Sequence, residues 1–261
     1  MLSKLGAGGR IAAGELKRSA PDGKTLLVSA SSIFTTYPNI YTKLDYDPVA
    51  DFTPVAGLTW FDVGLCTGPA TGATDFRQLM AWAKGRQDFT FGASPGNGSS
   101  SHFTGLALGI ASGVKTTFVP YKEGPPAMGD IVTGRLPAFI TGTGTLAELH
   151  RAGKLRIVAT SGDERSPLTP EVPTFKESGV NVTIINTAGL YAPAKMPPEL
   201  VQRIHAALAP IFARADLPGR LMAQGMAPRF TTGPQLAASL EQDRKHYAEL
   251  VKASGYVPEA S

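Results

Sequence analysis

Apolar positions along the chain change period repeatedly. Short runs suited to strands alternate with stretches of helical spacing through the first three quarters. Residues 10–18 predict a short helix, and Pro21-Asp22-Gly23 a turn. Thr25–Ser29 then reads as a buried strand, and Phe52–Leu58 and Val63–Cys66 as two more. Thr74 caps a helix with Phe76, Leu79, Met80 and Ala83 on its apolar side, stopped at Gly85. Phe89-Thr90-Phe91 predicts a strand running into the glycine-rich turn 92–98. Ser99 opens a helix that turns Phe103, Leu106, Ala107 and Ile110 inward and ends at Gly113. Thr116–Val119 predicts a strand and Pro125–Val132 a helix. Leu136–Thr141 is a strand in which Pro137 predicts an edge position or a late start. Thr145–Ala152 reads as a helix stopped by Gly153, and Leu155–Thr160 and Val182–Ile185 as strands.

The last quarter is helical. Pro197-Pro198 opens a helix with Leu200, Val201, Ile204, Leu208 and Ile211 on one side. Thr232 and Gln235 have capping-box spacing, and the helix they open runs to Gly255. The whole pattern predicts an α/β fold with a helical C-terminal tail.

Composition narrows the function. Apolar residues make up 43% of 261 and charged residues 18%, an ordinary globular balance that argues against disorder. The net charge of +4 favours an anionic small molecule. The cations are scattered, without the basic stripe that nucleic acid requires. Cys66 is the only cysteine, which excludes an internal disulfide and a CxxC metal site. No apolar run approaches the roughly 20 residues that span a membrane. Glycines and charges break up residues 1–23, so no signal peptide is expected in the chain as given.

The segment Phe91–His102, FGASPGNGSSSH, carries the most chemistry. It reads as a strand, a glycine-rich turn and a serine-rich helix start. Unpaired N–H groups, the helix dipole and the hydroxyls of Ser99 and Ser100 suit a carboxylate or phosphate, with Asn97 beside them. The plain alternative is that Ser99 only caps the helix. Gly92-Ala93-Ser94-Pro95-Gly96 also matches the nucleophile elbow of serine hydrolases, with Ser94 as nucleophile. Pro95 argues against this, since it has no N–H for an oxyanion. His102, on the first helical turn, either faces a ligand or packs. It has no metal-ligand spacing to another His, Asp or Glu, so no metal or cofactor is expected. Ser29, Ser31 and Ser32 follow a strand directly, where an open α/β sheet places its ligands or makes an ordinary polar loop. Thr141-Gly142-Thr143-Gly144-Thr145 repeats the pattern. Three such edges of hydroxyls and glycines, without a general base, suit binding rather than catalysis.

Several segments together resemble a family. They are the AGG within Gly6–Gly9, APDGKTLL at 20–27, YPNIYTKLDYDPVADFTPVAGL at 37–58, FGASPGNGSSSH at 91–102, VPYKEGPPAMGDIVTGRL at 119–136, AGKLRIVATSGDERSPLTPEVPTFKESG at 152–179 and GLYAPAKMPPE at 189–199. In this order they resemble the Bug-type, or TctC-type, receptors of tripartite tricarboxylate transporters. The resemblance implies a two-lobed periplasmic binding-protein fold, type II-like, with two crossover strands and the ligand cleft between the lobes. Lobe one is expected at 1–67 plus 190–261 and lobe two at 68–189. The implied partners are a small organic mono-, di- or tricarboxylate and the membrane components of the transporter. The implied location is periplasmic, and no enzymatic activity, nucleic acid or metal is implied. Ligand-facing positions by resemblance are Ser29, Ser31, Ser32, Ser94, Asn97, Ser99, Ser100, His102, Thr141 and Thr145.

The chain departs from the family in places. Pro137 and Thr141 stand where the family often has Asp, and Glu123-Gly124-Pro125-Pro126 replaces a small-residue helix start. The family's first strand and its P-F-x-P-G-G loop are not in the sequence, so an incomplete first lobe is expected. The alternatives are a truncated, non-binding relic of such a receptor, a sensor domain that presents its ligand-bound form to a kinase, and the Ser94 hydrolase.

Overall fold

Eight strands and ten α-helices follow one another in the computed structural model, which describes residues 7–86 and 88–260. Gly6 of the AGG segment lies outside the described residues. In chain order the elements are α1 (Arg10–Lys17), β1 (Leu27–Ala30), α2 (Ser32–Thr35), α3 (Tyr37–Ile40), β2 (Phe52–Thr67), α4 (Phe76–Arg86), β3 (Phe89–Ala93), α5 (Ser100–Ser112) and β4 (Thr116–Pro120). There follow α6 (Gly124–Val132), β5 (Ala138–Gly142), α7 (Thr143–Arg151), β6 (Arg156–Thr160), β7 (Ile185–Pro193), α8 (Pro198–Phe212), α9 (Leu217–Met222), β8 (Ala227–Thr232) and α10 (Gly233–Ser254). The chain forms two compact units. One comprises Met1–Trp60, Asn186–Leu221 and Ala227–Ser261, and the other Phe61–Ile185 and Met222–Met226.

In the first unit β7 lies between β1 and β2. β1 runs antiparallel to β7, with Leu27 opposite Tyr191, and β8 runs antiparallel to β2, with Ala56 opposite Thr232. Leu16, Ile33, Phe34, Phe52, Tyr191, Leu236 and Leu240 form its main core. The Phe34 ring sits 4.1 Å from Tyr191 and 5.2 Å, edge-on, from Phe52, a geometry aromatic pairs favour. The expected buried strand at Thr25–Ser29 is shorter and half-exposed. β1 is last in the strand order and pairs only with β7, so Leu27 packs on the core while Val28, on the opposite face, is 56% exposed.

In the second unit β5, β3 and β4 are adjacent and parallel, and the later part of β2 runs antiparallel between β5 and β6. Cys66, Ile131, Leu136, Phe139, Leu146 and Ile157 pack together here. Burial pushes the Cys66 thiol up, so it behaves as a small apolar side chain.

Several local expectations change. The two strands expected at 52–58 and 63–66 are one strand of 16 residues, because β2 changes partners rather than stopping. Of the two expectations raised by Pro137, the late start holds, since β5 begins after it, and the edge position does not, since β5 is central; the carbonyl of Pro137 accepts from Thr67 Oγ1 at 2.7 Å. Val182–Ile184 is not strand, and β7 starts at Ile185. Asp75 rather than Thr74 receives the Gln78 N–H, at 2.8 Å. In α5 Ile110 faces outward and Leu108 inward. The contact face of α5 is set by Gly105, where a Cβ would overlap the Phe91 ring, and by Gly109 against Thr116.

Candidate functional site

The parallel order β5-β3-β4 puts three strand C-terminal ends at one edge of the second unit. Each strand runs into a helix: β3 into α5, β4 into α6 and β5 into α7. Open α/β sheets bind ligands at such edges. Of the three starts, only that of α5 has an N-cap side chain bonded to its own helix. Ser99 has extended backbone angles, and its Oγ accepts the His102 N–H at 3.1 Å. The Ser99 carbonyl accepts the first intrahelical bond, from Phe103 at 3.0 Å. The N–H groups of Ser100 and Ser101 precede that bond and point out of the helix start. Neither α5 nor α7 has an acidic residue in its first turn.

Ser94 holds this edge together. Its carbonyl accepts from Thr141 Oγ1 at 2.9 Å and from Ser101 Oγ at 3.2 Å, and its N–H donates to Ile140 O at 3.3 Å. Both Ser94 and Thr141 are buried. Gly98, at φ 72°, adopts the left-handed conformation that glycine favours, and its N–H donates to His102 Nδ1 at 3.3 Å. The His102 ring stacks on Phe118 at 3.8 Å and is buried. Burial pulls its pKa down to about 4, so the ring is neutral at pH 7, and Nδ1 carries no proton and accepts that bond. His102 therefore fixes the glycine turn. Asn97 is exposed in that turn, and Ser99 and Ser100 are half-buried.

The α7 start is shaped differently. Gly142 is its N-cap without a side-chain bond, and Thr145 is exposed. A Cβ on Gly144 would lie 2.5 Å from the Gly225 Cα, so the 222–226 segment rests directly on this backbone. At the α6 start Pro125 and Pro126 supply no N–H, and Glu123 precedes them. A Cβ on Gly124 would lie 3.6 Å from Thr145 Cγ2, which puts the α6 and α7 starts side by side.

In the first unit the three serines have separate tasks. Ser31 is buried; its N–H donates to Thr187 O at 2.7 Å and its Oγ accepts from Thr187 N at 3.3 Å. Ser29 lies on β1 opposite Gly189, and Ser32 opens the four-residue α2. Two cavities in this unit, of about 370 and 530 Å³, are not lined by these serines. Two features escaped the sequence reading: the Gly144–Gly225 contact, which joins distant segments, and Asp62, buried in β2. The second left a trace, a lone carboxylate in the apolar run Trp60–Cys66.

The family described as tripartite tricarboxylate transporter family receptor matches residues 2–256. An uncharacterised relative from Bordetella bronchiseptica is 28% identical over 253 residues, covering 97% of this chain and 75% of the relative. Among solved structures, MatC of Rhodopseudomonas palustris with bound malate is 29% identical at a TM-score of 0.74, covering 95% of this chain and 85% of that one. An R. palustris protein solved with adipate is 25% identical at a TM-score of 0.82, covering 98% and 86%.

Proposed function

We propose, for a chain that belongs to the tripartite tricarboxylate transporter receptor family, that it binds a small organic carboxylate in the periplasm and delivers it to the membrane components of such a transporter. The family consists of solute receptors and not enzymes. The observation that carries the ligand class is the edge at which β3, β4 and β5 run into three helix starts, with no acidic residue in the first turn of α5. A carboxylate there accepts from the Ser100 and Ser101 N–H groups and the nearby hydroxyls, in the field of the helix dipole. Malate and adipate, bound by similar proteins, are ligands of this chemistry. The Ser94 elbow lacks its oxyanion donor, because Pro95 follows it. We further propose that the two compact units are the two lobes of the receptor fold.

The test is a thermal-shift and calorimetric panel of mono-, di- and tricarboxylates, with sugars and cationic amino acids as controls. At least one carboxylate raises the melting temperature by mass action, and the controls do not. Ser99→Asp keeps the fold, since Asp caps a helix as well as Ser does, and Ser100→Asp puts an acid in the first turn, where the helix dipole favours it. Each weakens binding at least about tenfold, given charge-assisted hydrogen bonds of about 1.5–3 kcal/mol. Stabilisation by sugars alone, or undiminished affinity in both variants, overturns this reading.

A further inference from the structure

We propose that Asp62 is the anionic ligand of a buried site for a monovalent cation, completed by the hydroxyls of Thr143, Thr160 and Ser166. All four residues belong to the second unit, and the proposal stands apart from the carboxylate reading.

Asp62 is 1% exposed, in the middle of β2. Its neighbour Val63 is joined to the end of β6 twice: Val63 N–H donates to Ser161 Oγ at 3.0 Å, and Ser161 N–H donates to Val63 O at 2.9 Å. Gly64, two residues on, shares the Asp62 face of the strand. Gly64 pairs with Thr160, and a Cβ on it would lie 3.4 Å from Thr143 Oγ1. Thr143, Thr160 and Ser166 are themselves buried. Their hydroxyls reach the Asp62 carboxyl and favour its charged form, while burial opposes it and prevails.

The hydrogen bonding here is incomplete. Asp62 Oδ2, Thr143 Oγ1 and Thr160 Oγ1 are buried, and none makes a well-formed hydrogen bond, although the hydroxyls lie close enough to act on the carboxyl. Buried polar atoms are normally paired, so unpaired oxygens gathered at one carboxyl point to a bound species among them. After burial, the strongest influences on the carboxyl are hydroxyls and its own backbone N–H. A water molecule satisfies the oxygens but leaves a buried charge without compensation, which is costly. A small cation answers both needs. The donors are hard oxygens, and the single carboxylate matches a single positive charge. No group of three or more His, Cys, Asp or Glu suited to a multivalent metal occurs among the described residues. Occupancy joins β2, the first residue of α7 and the end of β6.

The test is thermal unfolding of the full chain at pH 8 and constant ionic strength, in sodium, potassium, lithium or choline chloride. Sodium or potassium is expected to raise the melting temperature saturably above the choline value. Asp62→Asn, close in shape but uncharged, removes that difference between salts. Thr143→Val and Thr160→Val each shift the midpoint of the sodium titration to higher concentration, and they serve as the test should Asp62→Asn not fold. Equal melting temperatures of the wild-type chain in all four salts overturn the proposal. So does a salt difference that persists in Asp62→Asn, or sodium midpoints unchanged in both Thr variants. A salt-independent rise in stability on acidification that is larger in the wild-type chain than in Asp62→Asn also overturns it, and points to a protonated Asp62 carboxyl.

Discussion

At Gly105 and Gly144 the absence of a side chain is what brings segments together. A Cβ on Gly105 would overlap Phe91, which is held on either side by Phe89 at 5.5 Å and Phe118 at 5.4 Å. The ring has no open side to move into, so Gly105→Ala is expected to cost about 1–3 kcal/mol. For a chain of this size, that lowers the melting temperature by about 2–4 °C per kcal/mol. Gly85, also in a helix, has no atom within 4 Å of an added Cβ, and Gly85→Ala is expected to leave the melting temperature unchanged or slightly raised. Differential scanning calorimetry of both variants separates packing from helix propensity; equal losses would show that propensity alone governs. The sequence revealed Ser99 as a cap because its partner lies three residues away. It could not assign His102, whose partners are the Gly98 N–H and the Phe118 ring, the second brought near only by folding.

Elements were legible where their signals are local. The capping box of Thr232 and Gln235 opens α10 and a left-handed Gly255 closes it, as the spacing predicts. β2 was read as two strands because the polar residues Thr59 and Asp62 break the apolar pattern between 58 and 63, and only its change of partners shows it to be continuous. The same dependence on neighbours governs the three helix starts of the second unit. α5 and α7 present N–H groups, whereas α6 begins with two prolines behind Glu123. On the carboxylate reading, Glu123 puts a negative charge at the α6 start, whose next residue, Gly124, lies against Thr145, and so disfavours a second carboxylate near there. Glu123→Gln is therefore expected to tighten dicarboxylate binding about two- to five-fold, from a charge effect of about 0.3–1 kcal/mol at a helix start. Calorimetric titration at low and high salt checks this, because a gain that survives high salt is not electrostatic.

For the whole molecule, the fold class was legible because seven segments follow the family order. The pH dependence of stability was not, because it depends on burial. Two groups, one in each unit, oppose each other. His102 has a folded pKa near 4 against an ordinary value of 6.5, because its ring is buried and Nδ1 accepts a backbone N–H. The unfolded chain therefore binds more protons between pH 4 and 6.5, and the His102 contribution to stability falls as pH drops through that window. Asp243 has its folded pKa raised by burial to about 6 from 3.8. Here the folded chain binds more protons, and stability falls as pH rises from about 4 to 6. Asp47, Asp51 and Glu177, all held low by backbone N–H bonds, lose their contribution only at more acid pH. Asp62 is raised as Asp243 is, but it is common to every protein compared and cancels in the differences. The wild-type slope between pH 4 and 6.5 is thus expected to lie between those of the two variants. His102→Gln leaves the Asp243 effect unopposed, so relative to wild type the variant loses stability as pH rises. Asp243→Asn leaves the His102 effect, so relative to wild type that variant gains stability as pH rises. Urea unfolding at pH 4.5, 5.5 and 6.5 measures the three slopes. Parallel profiles would show that neither group is held away from its ordinary pKa, and that His102 is not buried against Phe118 as a neutral ring.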